Sequence, residues 1–178
     1  MTDTKDAMLE TMALTFLDGL DGPGALATIA ATAPRSASAV PPSADDTGLV
    51  VLDHLTERVL GGHGEITPAP QPGQVRYYHD EIYDASGALI GTVAGRLGIV
   101  HRRPDDSHMI AVRTEEVRLL GRTLRFTGLN DITAEFAGAW VSVPGVGLTG
   151  DILGWSGIRA IHMTSTPLVS DVRIVLCR

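Results

Sequence analysis

The chain has 178 residues, 44% hydrophobic and 20% charged, which is the balance of one globular domain with a short appended segment. A formal net charge of −7 argues against a nucleic-acid partner, because binding phosphates takes a surplus of Lys and Arg. No apolar run reaches the ~18 residues of a membrane span and the start does not resemble a signal peptide, so the expectation is a cytoplasmic protein with no membrane partner.

In chain order, DAMLETMALTFLDGL sets Met8, Met12, Phe16 and Leu20 four apart, with Leu9, Ala13 and Leu17 beside them. That spacing predicts an amphipathic helix with one broad apolar stripe. A second short helix is expected through GALATIAATA, between Pro23 and Pro34. The next stretch, APRSASAVPPSADDTG, is small, polar, proline-rich and without period. Residues 1–33 therefore read as a helical segment, 34–48 as a linker and 49–178 as a β domain.

The β domain opens on GLVVLDHLTERVLGG, whose pattern suits helix or strand; we assign it to strand because everything after it is β. QVRYYHDEIYD alternates and stops at the turn DASG, and ALIGTVAGRLGIVHR is a long strand before the turn RPDDS. HMIAVRTEEVRL, TLRFTGLND, AWVSVP, GIRAIHMTST and DVRIVLC follow. Eight strands joined mostly by short turns predict an all-β fold, an eight-stranded antiparallel β-barrel.

GVGLTG at 145–150 fits the dinucleotide fingerprint G-x-G-x-x-G, with Asp171 about 20 residues further on. The fingerprint needs a helix after it, and DILGWSGIRAIHMTST offers more glycine and then alternation, so these glycines read as turn residues. GWSG at 154–157 lacks the last glycine of a nucleophile elbow, having Ile158 there. The histidines (54, 63, 79, 101, 108 and 162) form no H-x-H or H-x-x-x-H pair, so no metal site is expected. Cys177, the single cysteine, excludes an internal disulfide and is expected as a buried or half-buried hydrophobe.

Sorting the strands by parity groups Arg76, Tyr78, Asp80 and Ile82 on one face of the second strand. It groups Met109, Ala111, Arg113, Glu115 and Val117 on the fourth, and Arg159, Ile161 and Met163 on the seventh. Charges on an inner face must be paired, so Asp80, Glu115 and Arg159 are expected to neutralise one another as a plug. Arg113 and Tyr78 are left either to that plug or to a ligand cavity, an eight-stranded barrel being wide enough for one small ligand.

Two stretches carry a resemblance. GQVRYYHDEIYDASGALIGT holds a D-E-hydrophobic-Y-D-x-x-G segment (Asp80, Glu81, Ile82, Tyr83, Asp84, Gly87). GVGLTGDILGWSGIRAIHMT holds an L-G-x-x-G-hydrophobic-R segment (Leu153, Gly154, Gly157, Ile158, Arg159). Over residues 73–178 the chain resembles the allene-oxide-cyclase-like barrel enzymes of bacterial polyketide pathways, in particular the spirotetronate and spirotetramate cyclases, which are natural Diels–Alderases.

The resemblance implies a substrate pocket in the barrel lumen, lined by Arg76, Tyr78, Arg113, Ile132, Val143, Ile161 and Met163. It implies that residues 1–33 form a lid presenting Met12 and Phe16 to substrate. The implied activity is an intramolecular [4+2] cycloaddition closing a spiro-linked ring in a linear polyketide with a tetronate or tetramate head group. No cofactor is implied, and Arg113 and Tyr78 are the expected catalytic residues. Several positions that are aromatic in a spirotetronate cyclase are Arg, Ile or Val here, so a substrate of different shape or polarity is expected. The alternatives are a hetero-Diels–Alder or other pericyclic cyclase on the same barrel, or a lipocalin-like carrier of a hydrophobic metabolite. The reading leaves room for a homodimer.

Overall fold

The computed structural model describes residues 48–64, 66, 69–166 and 168–178. The expected lid, with Met12 and Phe16, and most of the expected linker lie outside the described residues. Among the described residues the strands are β1 (Leu49–Gly64), β2 (Val75–Tyr83), β3 (Leu89–Arg102), β4 (Met109–Leu119), β5 (Arg122–Asp131), β6 (Val141–Gly147), β7 (Ser156–Met163) and β8 (Val169–Cys177). Each pairs antiparallel with the next, and β8 returns to β1, so the sheet closes into the expected eight-stranded barrel. No described helix is long and apolar enough to cross a membrane.

The opening stretch is strand throughout, and its ambiguous pattern has a physical cause. His54 sits at φ 55° and the pairing of β1 with β8 shifts between Leu52 and Leu55. This bulge reverses the inward parity, so Val50 and Leu52 are buried before it and Leu55 and Glu57 after it. Apolar residues at 52, 55 and 59 thereby acquire helix-like spacing although the backbone is extended.

Inside the barrel, one row mixes bulky residues with glycines. Cross-strand partners run Tyr78, Gly95, Glu115, Phe126, Gly145 and Gly157 through β2 to β7. A Cβ on Gly95 would stand 2.6 Å from the Tyr78 hydroxyl, and one on Gly145 would stand 2.7 Å from Cε1 of Phe126. Both rings therefore lie along the wall over a glycine, which fits them into a narrow lumen.

At the end of the barrel holding the short turns, Ile152 and Trp155 join Leu119, Leu124 and Leu176 in the core, and Asp151 accepts from Arg122 Nε (2.6 Å) and Nη2 (2.8 Å). The glycines of GVGLTG lie here, in β6 and the one-turn 3-10 helix Gly150–Ile152. They permit close packing and a turn, with Gly150 at φ 75°, and open no nucleotide-binding helix. Cys177 is exposed rather than buried or half-buried. Val172, Ile174 and Leu176 take the inward parity of β8, which sends Cys177 outward.

Candidate active site

The lumen gathers an unusual set of buried polar side chains. Strand alternation brings in Glu57, Tyr78, Asp80, Arg113, Glu115, Asn130 and Arg159, and Glu135 joins them from α1 (Ile132–Phe136), the short helix after β5. That helix starts at Asp131, whose side chain accepts from the Ala134 N–H at 2.9 Å.

Arg159, with 0% exposure, reaches across the lumen. Its Nη1 donates to Glu115 Oε2 at 2.6 Å and its Nη2 pairs with Glu57, tying β7 to β4 and β1. The Tyr78 hydroxyl donates to Glu115 Oε1. Arg113 grips Glu135 through Nη2, at 2.6 Å to Oε1 and 2.7 Å to Oε2, and reaches Glu115 Oε1 from Nη1 at 3.4 Å. Asn130 Nδ2 donates to Glu135 Oε2 at 2.7 Å. These contacts form one continuous network from α1 to β1.

Four carboxyl groups thus share the lumen with two guanidinium groups, and the excess of negative charge is reduced at Asp80. Burial, the Glu57 charge and a hydrogen bond with Glu57 push its carboxyl up to about 9, so Asp80 holds its proton at neutral pH. Burial penalises the charge on Glu115 too, but Arg159, Arg113 and the Tyr78 hydrogen bond outweigh this and hold its carboxyl below the usual range. Burial, reinforced by the Glu115 charge, pushes the Tyr78 phenol well up, so it stays protonated. Burial works against the Arg113 charge, but the Glu135, Tyr78 and Glu115 side chains raise its proton affinity well above the ordinary value.

The expected plug is present with different pairing. Arg159 does meet Glu115, but its other partner is Glu57, and Asp80 is a neutral acid beside Glu57. Sequence parity missed Glu57 because of the bulge in β1, and missed Glu135 because α1 is too short to show a helical period. Asp131 ahead of ITAEF is the only local signal for that helix.

The expected lining residues take two levels. Tyr78, Arg113, Ile132, Val143 and Ile161 are buried, whereas Arg76 and Met163, sharing the inward parity, are half-buried towards the end that carries α1. Arg113 and Tyr78 are brought together through Glu115. Two guanidinium N–H groups, Arg113 Nε and Arg159 Nε, have no hydrogen-bond partner, nor do Asp80 Oδ1 and Asn130 Oδ1. Buried polar atoms are ordinarily satisfied, so these are the network's unspent hydrogen-bonding capacity. Among the described residues no group of three or more His, Cys, Asp and Glu side chains is placed to hold a metal ion.

Comparison with known proteins agrees with the fold. The family model described as the allene oxide cyclase barrel like domain matches residues 54–176. AbnU, described as an exo-specific intermolecular Diels-Alderase, superposes with a TM-score of 0.68 at 29% identity, covering 72% of this chain and 96% of AbnU. The Diels Alderase AbmU from Streptomyces koyangensis gives 0.65 at 28% identity over 72% of this chain and 63% of its own. A nonspecific heme-binding cyclase that catalyses [4 + 2] cycloaddition during neoabyssomicin biosynthesis gives 0.65 at 25% identity, covering 99% of this chain and 76% of its own. No curated protein matches. The family match takes in all but the margins of the barrel, and the chain belongs to the allene oxide cyclase barrel like family.

Proposed function

We propose that the protein is a cyclase that performs an intramolecular [4+2] cycloaddition, forming a spiro-linked ring in a linear polyketide with a tetronate or tetramate head group. The observation that carries the [4+2] part of this reading is the likeness of the barrel to the Diels-Alderases AbnU and AbmU, at 29% and 28% identity. The chemistry of the lumen is compatible with it. A cycloaddition makes and breaks its bonds in one step and requires no nucleophile. It requires a flexible molecule held with diene and dienophile in contact, and pre-ordering of that kind is worth up to about 7–11 kcal/mol of barrier.

Within this reading Arg113 is the donor to the head-group oxygen. Its terminal nitrogens are held by Glu135 and Glu115, which fixes the plane of the guanidinium and leaves Nε–H without a partner. A preorganised, water-excluded donor stabilises charge that develops on the dienophile carbonyl. Tyr78 contributes a fixed aromatic wall. Ile132, Val143, Ile161 and Met163 are the apolar surface for the chain, and Arg76 lies at the half-buried level.

A second reading, cycloaddition between two molecules, is favoured by the description of AbnU as intermolecular. One experiment separates the possibilities. A synthetic acyl-tetronate bearing a conjugated diene and an exocyclic methylene is incubated with the protein, and the products are resolved by mass. An isomer of unchanged mass, formed beyond one equivalent, supports the proposal. An adduct of summed mass supports the intermolecular reading. Saturable binding without turnover establishes a carrier and overturns the enzyme reading.

A further inference from the structure

We infer that Gly95 and Glu115 are a positioning pair that fixes the Tyr78 phenol against the wall of the barrel. The spectroscopic part of the argument is independent of the cyclase reading, and only its kinetic part rests on it. Tyr78, Gly95 and Glu115 are direct cross-strand partners on β2, β3 and β4, with the same inward parity. Adjacent strands lie about 4.8 Å apart, so the tyrosine must span the β3 position to reach the carboxylate two strands away. It does so over the glycine: a Cβ there would fall 2.6 Å from both Cε2 and the hydroxyl oxygen of Tyr78. Any side chain at 95 forces the ring off the wall and into the lumen.

The far end of the ring is fixed just as tightly. The hydroxyl donates to Glu115 Oε1, and Glu115 is itself held by Arg159 from across the lumen, at 2.6 Å on Oε2, and by Arg113 on its own strand, at 3.4 Å on Oε1. The phenol proton is therefore committed to Glu115, and the Tyr78 oxygen faces a ligand only as an acceptor. This leaves donation to the guanidinium groups, and of these Arg113 has an anchor on Glu135 that is separate from Glu115. Glu115 and Gly95 thus act through Tyr78, while Glu135 and Asn130 act through Arg113.

The test compares Gly95→Ala, Glu115→Gln, Tyr78→Phe and Glu115→Gln/Tyr78→Phe. A phenol hydrogen-bonded to a buried carboxylate absorbs at longer wavelength than a free one, and Tyr78→Phe identifies that band in the near-ultraviolet spectrum. Gly95→Ala, which alters no charge, should shift or remove the band while unfolding remains cooperative. With the acyl-tetronate as substrate, Glu115→Gln should lower kcat by up to about 10²-fold, as misplacement of a group by about 1 Å does. In the Tyr78→Phe background the same substitution should have no further effect on kcat. An unchanged band in Gly95→Ala overturns the inference, as does a Glu115→Gln loss that persists undiminished without the Tyr78 hydroxyl. If the wild-type protein does not turn the substrate over, the cyclase reading fails and the band still decides the inference.

Discussion

Asp80 keeps its proton to about pH 9 in the folded barrel, whereas the same carboxyl in an unfolded chain titrates near 3.8. Its folded pKa is raised, so its contribution to stability is complete below about pH 4 and is lost as pH climbs towards 9. The loss approaches ~1.4 kcal/mol per pH unit for one group. Glu115 runs the other way, its lowered pKa giving stability at neutral pH that falls away in acid. Asp80→Asn, an amide in place of the neutral acid, should therefore gain on the wild type as urea midpoints are compared from pH 5 to pH 9. A constant difference across that range means that Asp80 is ionised in the fold. Arg113→Met should cut turnover by ~10²–10³-fold on protein shown to be folded, the usual cost of one oxyanion donor. Unchanged turnover would reduce Arg113 to a structural partner of Glu135 and Glu115. Parity was enough to place Arg113 and Tyr78 in the lumen. It was silent on Glu135, so the sequence could not show that the terminal nitrogens of Arg113 are already occupied.

The element that supplies Glu135 is only five residues long and depends on its ends. Asp131 caps α1 at the Ala134 N–H and also meets His108 Nδ1 at 2.7 Å and Arg103 Nη2 at 3.0 Å, joining the helix to the β3–β4 turn. Asp131→Ala removes the cap and this junction together and should cost ~1–2 kcal/mol, read as a lower unfolding temperature. No loss would show that Arg113 and Asn130 hold α1 without help. Elements with a long period were readable in advance: β4 and β5 alternate between inward and outward side chains, and β2 does so apart from Tyr77, which is buried beside Tyr78. The period of β1 was broken by its bulge. α1 has no period to read, being little more than one turn between strands.

Across the molecule, the eight-stranded barrel followed from alternation and short turns, but the wiring of its interior did not. Which guanidinium meets which carboxylate is decided by the curvature that brings β7 opposite β4, a separation that parity on single strands cannot express. Arg159 carries most of that wiring. Arg159→Met leaves Glu57 and Glu115 without their shared buried partner and should destabilise the barrel by ~3–5 kcal/mol in denaturant titrations. A loss under 1 kcal/mol would mean the carboxylates re-pair or take up protons at little cost. The closure of the sheet bears on how the barrel assembles. Seven of its pairings join neighbours in sequence, while the seam of β1 with β8 joins Leu49 to Cys177 and lies last on any route that forms hairpins first. Bringing such distant segments together meets the largest loop-closure entropy in the fold and slows folding. Contacts formed after the rate-limiting barrier govern unfolding alone, so Leu176→Ala, at the seam, should speed unfolding and spare the refolding rate in stopped-flow measurements. A slowed refolding limb would place the seam in the nucleus and make barrel closure an early event.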